Sequence, residues 1–361
     1  MNLLLLNLRP PGGGVTSSAN ALIGWIDKHP DHQITHGSIR IPARACLQYV
    51  RVINGFTDEE LHHACRTHDQ ILINTGFAAS VKEAEAERWM GILRQHKANL
   101  TYYCQDIFNT KRWYFAYDFF IEHSRQVLTN SVSSPFASRA RELQQSVRLS
   151  QPSLDFDAIR AECWQPIAAQ DVHTHRMIGR YNAYKNHAAV FKFYEDWLKV
   201  TGDQLYIEGV DKSPSFNGFT RSFDFVLGET YTQTADKPIV FGSYTKAEMY
   251  QRLARTGFSW QLQLAKPDYL VQHLEHTQME SVACGSTVIL HSSWFRNHPL
   301  KFLLDDDSIL WFKESETLYH QIQGYQREPE LKDLARERIF EVFNQHYGPN
   351  TVFNNLIKAL L

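Results

Sequence analysis

The chain has 361 residues, 43% of them hydrophobic and 13% aromatic, enough for two cores of ordinary size. A formal charge of −2 gives no overall signature of a nucleic-acid binder, although a local basic groove is compatible with it. The five cysteines, Cys46, Cys65, Cys104, Cys163 and Cys284, form no CxxC pair, which argues for reduced thiols and against a zinc site.

In chain order, the opening run MNLLLLNL lacks a basic flank and is too short to span a bilayer, so it predicts a strand over residues 2–8. A glycine-rich turn (Gly12, Gly13, Gly14) and a helical pattern through Ala19, Leu22, Ile23 and Ile26 follow. Strand, glycine turn and helix let a backbone approach a phosphate or sugar, but neither GxGxxG nor a P-loop is present, and a plain tight turn fits equally well. Strands are predicted at 33–38, 70–74 and 99–104, with a helix carrying Ala86, Trp89, Met90 and Leu93 between the last two, and a final strand of this half at 128–131. A more polar passage at 150–170 leads to strands at 177–179, 205–208 and 238–241 and helices at 187–200 and 246–255. Residues 257–312 hold a helical turn opened by Glu280, the small residues Ala283, Cys284 and Gly285, and buried strands at 287–290 and 309–312. The end of the chain carries a helical stripe at Leu331, Ala335, Ile339 and Val342. Alternating strands and helices predict parallel sheets covered on both faces, in two halves that face one another across a cleft.

Ligands of such sheets sit outside the carboxyl ends of the strands. Glu280, at the start of a helix leading into a strand, is placed there to accept bonds from ribose hydroxyls. Asp106 follows a predicted strand and can orient a sugar or take a proton, or else serve as a turn or cap residue. Arg180 and Lys185 can clamp a diphosphate, or else belong to solvated surface. Lys111, Arg112, Trp113, Tyr114 and Phe115 interleave base and aromatic as nucleic-acid contacts do, and Arg139, Arg141 and Arg148 add charge; an amphipathic helix explains the same composition. The His173/His175 pair reads as surface, with no metal assigned. Hydrolase motifs GxSxG and HExxH are missing, kinase loops too, and the Ser243–Lys246 SxxK has no partner motif.

Several short segments, in order and spacing, resemble the DNA α-glucosyltransferases of T-even bacteriophages, a retaining two-domain GT-B family. They are Gly14-Val15-Thr16, Ile71-Leu72-Ile73-Asn74, Ile178-Gly179-Arg180 with Lys185, Glu208-Gly209, Thr256-Gly257-Phe258 with Gln261-Leu262, Glu280 with Ala283-Cys284-Gly285, and Trp311-Phe312. The resemblance implies an α/β GT-B fold, with residues 1–165 as acceptor and DNA-binding domain, 166–335 as UDP-sugar domain, and 336–361 as a helical tail. It implies transfer from a UDP-sugar, UDP-glucose or UDP-arabinose, to hydroxylated cytosine in double-stranded DNA. No obligatory metal or membrane is implied; a monomer working in the cytoplasm of an infected bacterium is expected. Carried over by position, Glu280 holds the ribose, Arg180 and Lys185 the diphosphate, and Cys284 and Gly285 lie beneath the donor. Gly13 and Gly14 border the donor sugar, Tyr244 is a candidate for the uracil pocket, and Asp106, matching the acidic residue of the acceptor-side motif, is the catalytic candidate, with Arg180 supporting charge on the leaving group. Lys111, Arg112, Trp113, Arg139 and Arg141 are the expected DNA contacts. Gln105 departs from the histidine-rich family pattern around that acid, which hints at a different sugar or acceptor. A GT-B transferase acting on a polysaccharide or small molecule, and a nucleotide-sensing or DNA-binding module with a dead site, are the other readings.

Overall fold

Four consecutive leucines open the first strand, and both of its faces are buried, the signature of a parallel strand covered by helices on either side. The computed structural model of the protein describes residues 3–7, 13–29, 56–75, 83–105, 115–167, 170–179, 185–210, 239–244, 246–265 and 271–361. These fall into two units, residues 1–155 with 346–361, and residues 156–345.

In the first unit the described strands form a parallel sheet in the order β1 (Leu3–Asn7), β2 (Gln70–Thr75), β3 (Leu100–Cys104), β4 (Gln126–Thr129) and β5 (Val147–Leu149). Alternation along each strand divides the side chains. Leu4, Leu6, Ile71, Ile73, Tyr102 and Val127 enter a core with Trp89, Phe120 and Phe136. Leu3, Leu5, Leu72, Tyr103 and Leu128 face the helices Gly13–Asp27 and Pro349–Leu360. The strand expected to be last, at 128–131, is instead followed by β5. That strand is short and its Arg148 is exposed, so it carries no apolar pattern to read.

The second unit has a parallel sheet in the order β11-β10-β9-β6-β7-β8, where β6 is Asp171–Ile178, β7 Gln204–Val210, β8 Ile239–Tyr244, β9 Thr256–Gln261, β10 Thr287–His291 and β11 Leu310–Phe312. The chain winds outward from β6 in one direction, then returns to start β9 on its other side. The carboxyl ends of β6 and β9 therefore make a topological switch point, where sheets of this type open a crevice. Phe258, Trp260, Leu205, Ile207 and Ile289 form the core on one face, against the helices His187–Phe193 and Ser315–Arg327. On the other face lie the helices Phe156–Cys163, Lys246–Arg255 and His276–Ala283.

Strand β6 is longer than the predicted 177–179, because the polar residues Thr174, His175 and Arg176 within it are buried and paired. His175 is 0% exposed, stacked on Phe258 at 4.9 Å, with its Nδ1 accepting from Trp260 Nε1 at 3.2 Å. Asp203, also buried, meets His173 at 2.6 Å and accepts from Gln326 at 3.0 Å. The expectation that both histidines lie on the surface fails for His175. Among the described residues no group of three or more His, Cys, Asp or Glu is arranged to hold a metal ion, and no helix is long and apolar enough to cross a membrane.

Lys332, on the helix Pro329–Tyr347, is 0% exposed and its ammonium lies 4.9 Å from the Phe258 ring with no hydrogen-bond partner among the described residues. Burial, and then the Arg336 charge, push its pKa down to about 7 against the opposing pull of Asp171. Between about 7 and the ordinary lysine value the unfolded chain holds a proton that the folded chain does not, so this group makes stability rise with pH across that window. Lys332→Met is expected to stabilise the fold most below pH 7 and progressively less toward pH 9. Chemical denaturation of both proteins at pH 6, 7.5 and 9 checks this; a gain that grows with pH contradicts it.

Candidate functional site

At the switch point, β6 ends in Gly179, whose φ is +152° and whose N–H donates to the Glu208 carbonyl at 3.1 Å. A Cβ on Gly179 would stand 3.1 Å from Lys185 Nζ, so the missing side chain lets that ammonium lie over the strand end. Lys185 is buried and donates to Thr277 Oγ1 at 3.1 Å. Thr277 is the second residue of the helix His276–Ala283, in its first turn, at the positive end of the helix dipole.

Behind Thr277 runs a chain of buried polar groups. Gln263 Nε2 reaches Gln261 Oε1 at 3.0 Å and Thr277 Oγ1 at 3.4 Å, and Gln278 Nε2 donates to Gln263 Oε1 at 3.0 Å. Gln261 Nε2 donates to Ser281 Oγ at 3.0 Å, whose own hydroxyl bonds the Thr277 carbonyl at 2.8 Å. Three amides thus fix one threonine and, through it, one ammonium. His187, buried beside them, is pushed down to about 3 by burial and then by the Lys185 charge, so it stays neutral. Among the described residues the pocket presents a fixed positive charge, a hydroxyl and a helix amino end, a set suited to an oxyanion. None of Thr277, Gln261, Gln263 or Gln278 was singled out as a site residue from the sequence. The alternation Trp-Gln-Leu-Gln-Leu at 260–264 was the available signal, since it puts two amides on one face of a buried strand end.

Glu280 does not open the helix as expected. The helix begins a turn earlier, after the N-cap Glu275, whose N–H donates to Gln278 Oε1 at 2.8 Å, so Thr277 holds the rim position assigned to Glu280. Glu280 lies buried midway along the same helix, and side chains on a helix lean toward its amino end, here the Lys185 end. Cys284 and Gly285 lie at the opposite end of that helix, before β10, so the structure does not bring them to Lys185. Gly285 has φ +79°, a Cβ there would meet the Trp164 ring at 2.8 Å, and its carbonyl accepts from Gln170 at 2.8 Å and Arg336 at 3.3 Å. This turn is a structural joint between that helix and β10.

Tyr244 is the last residue of β8, three residues beyond the predicted end of that strand. Gly13 and Gly14 form the first turn of the helix Gly13–Asp27. Arg139 is engaged by Asp118 at 3.0 and 2.7 Å and by Glu142 at 3.1 Å, and Arg141 donates to the Val132 carbonyl at 2.5 Å, so a phosphate contact at either would have to displace these partners. Asp106, Arg180, Lys111, Arg112 and Trp113 lie outside the described residues, as does the strand expected at 33–38.

The model of the family described as DNA alpha-glucosyltransferase matches residues 139–328. The chain belongs to the DNA alpha-glucosyltransferase family. The matched region contains the whole switch-point site, from Gly179 to Glu280. The chain is 28% identical over 224 residues to the DNA alpha-glucosyltransferase of Enterobacteria phage T4, a match that spans 56% of this chain and about half, 54%, of that protein. A solved alpha-glucosyltransferase in complex with UDP-glucose and DNA containing an abasic site is 22% identical, with a TM-score of 0.83 over 99% of this chain and 98% of that one. Anabaena Alr3699/HepE in complex with UDP-glucose has a TM-score of 0.63 at 10% identity, covering 100% of this chain and 99% of its own. The fold is thus the α/β GT-B arrangement of two parallel sheets that the family resemblance implied.

Proposed function

We propose that this chain transfers glucose from UDP-glucose to the hydroxyl of 5-hydroxymethylcytosine in duplex DNA, with retention of configuration, in the cytoplasm of a phage-infected bacterium. The observation that carries the reading is Lys185, held by Thr277 over Gly179 at the switch point of a DNA alpha-glucosyltransferase family chain. In the reaction the bond from sugar C1 to the β-phosphate oxygen breaks and a bond from C1 to the hydroxymethyl oxygen forms. UDP departs carrying the electron pair, and the charge that develops on its β-phosphate is met by Lys185 with Arg180. Asp106 takes the hydroxyl proton. Glu280 accepts from the ribose, Tyr244 borders the uracil, and Gly13 and Gly14 border the sugar. The target base leaves the duplex stack to reach this chemistry, with Lys111, Arg112 and Trp113 offsetting the loss of stacking. Cations of the protein supply the leaving-group charge, so transfer is expected to persist in a chelator.

A pentose donor is the second reading, favoured by Gln105 standing beside Asp106. Duplex DNA with and without hydroxymethylcytosine, incubated with UDP-glucose or UDP-arabinose and digested to nucleosides for mass spectrometry, separates the readings. A hexose increment confined to hydroxymethylated DNA is the expected result. A pentose increment alone changes the sugar, turnover only on a polysaccharide or small molecule removes DNA from the reading, and no turnover with any donor leaves a nucleotide-sensing module.

A further inference from the structure

Two of the buried thiols meet. Cys163 is the last residue of the helix Phe156–Cys163, and Cys284 caps the carboxyl end of the helix His276–Ala283. They are far apart in sequence, so no spacing motif links them, yet the two helices pack together and a hydrogen bond joins the two sulfurs. The residues that follow each cysteine are held against one another as well. A Cβ on Gly285 would stand 2.8 Å from the Trp164 ring, and a single nitrogen, Arg336 Nη1, donates to the Gln165 carbonyl at 2.9 Å and to the Gly285 carbonyl at 3.3 Å.

The contact between the sulfurs is not symmetric. The hydrogen bond from Cys284 lowers the pKa of Cys163, against the opposing effects of burial and the Glu162 charge, so Cys284 is the donor and Cys163 the acceptor. A thiolate is the reactive form of a cysteine, which makes Cys163 the nucleophile of the pair. It is also the more accessible of the two, 7% exposed against 0% for Cys284. Cys65 differs on this point, since burial pushes its thiol up to about 12. Bringing two sulfurs from hydrogen-bond contact to a bond of about 2.05 Å asks for a small movement. Here that movement falls on the last residue of one helix and on the turn that ends another.

We propose that Cys163 and Cys284 are a peroxide-sensitive pair, closing to a reversible disulfide that ties the helix bearing Thr277 to the helix with which the second unit begins. The Cys163 thiolate attacks one oxygen of hydrogen peroxide, the O–O bond breaks, and hydroxide leaves, so that Cys163 becomes a sulfenic acid. The Cys284 sulfur then attacks the sulfenic sulfur, and the hydroxyl departs with the Cys284 proton as water. The first hydroxide takes up the proton that Cys163 lost on ionising. The two thiols give up a pair of electrons, and the peroxide is reduced to water. The test is to treat the native protein with hydrogen peroxide, alkylate the remaining thiols, and read the unreduced tryptic peptides by mass spectrometry. The expected product is the Cys163 peptide joined to the Cys284 peptide, lighter by a pair of hydrogen atoms and separated again by dithiothreitol. Because the cross-link closes a long loop, the thermal midpoint should rise by about 5–15 °C and fall back on reduction. In Cys284→Ala the second thiol is gone, so Cys163 should stop at the sulfenic acid and be trapped by dimedone. Full alkylation of both cysteines after peroxide overturns the proposal. So does a cross-link from either one to a different cysteine, or a Cys163–Cys284 cross-link that lowers the midpoint.

Discussion

Lys185→Met should reduce kcat for sugar transfer by two to three orders of magnitude, roughly what removal of one preorganised charge-stabilising donor costs elsewhere. On the proposed function the ammonium meets the charge that the β-phosphate gains as UDP departs, so kcat and kcat/KM should fall together and UDP-glucose affinity should fall less. Thr277→Val, which keeps the shape but loses the oxygen that Lys185 donates to, should give a smaller loss in the same direction. Steady-state kinetics of the three proteins decide it. A Lys185→Met protein that turns over normally with only a raised KM would show that this lysine binds donor and transition state alike.

Glu208→Ala should be the most destabilising single change outside the apolar cores. The carboxylate is 4% exposed and accepts from both Arg176 Nη1 and Arg252 Nη1. Arg176, itself buried, also donates through Nε to Thr256 at 2.9 Å and lies 4.4 Å over the Tyr206 ring. Removing the anion strands a desolvated guanidinium, at a cost of about 3–5 kcal/mol. For a unit of this size that is a fall of roughly 6–20 °C in the midpoint of its transition. The Glu208 carbonyl also accepts from Gly179 N–H, so turnover should fall with stability as the seat of Lys185 loosens. Glu208→Gln, which keeps two polar atoms between the arginines, should lose less. A loss below about 1 kcal/mol for Glu208→Ala would mean that Arg176 finds solvent or another partner.

The strands that could be read in advance are those whose apolar runs need no partner to make sense. Leu3–Asn7 and Gln70–Thr75 pack on both faces, and a continuous apolar stretch says so. Strand β6 concealed its first half because Thr174, His175 and Arg176 look like surface until Asp203, Glu208 and Thr256 are brought alongside them. The helix before β10 was misjudged by one turn because its start is marked by Glu275 and Gln278 rather than by serine or threonine. Lys185 could be singled out, since a cation near a strand end suggests a phosphate. The amides that hold it were not, because glutamines in an apolar strand advertise no chemistry of their own and acquire it only by facing Thr277.

The helix Pro349–Leu360 closes one face of the first unit's core with Val352, Phe353, Leu356, Ile357 and Leu360. Its main chain is tied to that sheet by Arg125, which donates to the Leu360 carbonyl at 2.7 Å, and by Gln126, which donates to the Ala359 carbonyl at 2.6 Å. A ribosome makes this helix after the whole of residues 156–345, which form a unit from one unbroken stretch. The usual order of synthesis is therefore inverted. The second unit can be complete while the first, begun hundreds of residues earlier, still exposes Leu3, Leu5 and Leu22 to solvent. Any nascent-chain chaperone that serves this protein will find its binding surface on the unit whose strands were translated before the other's.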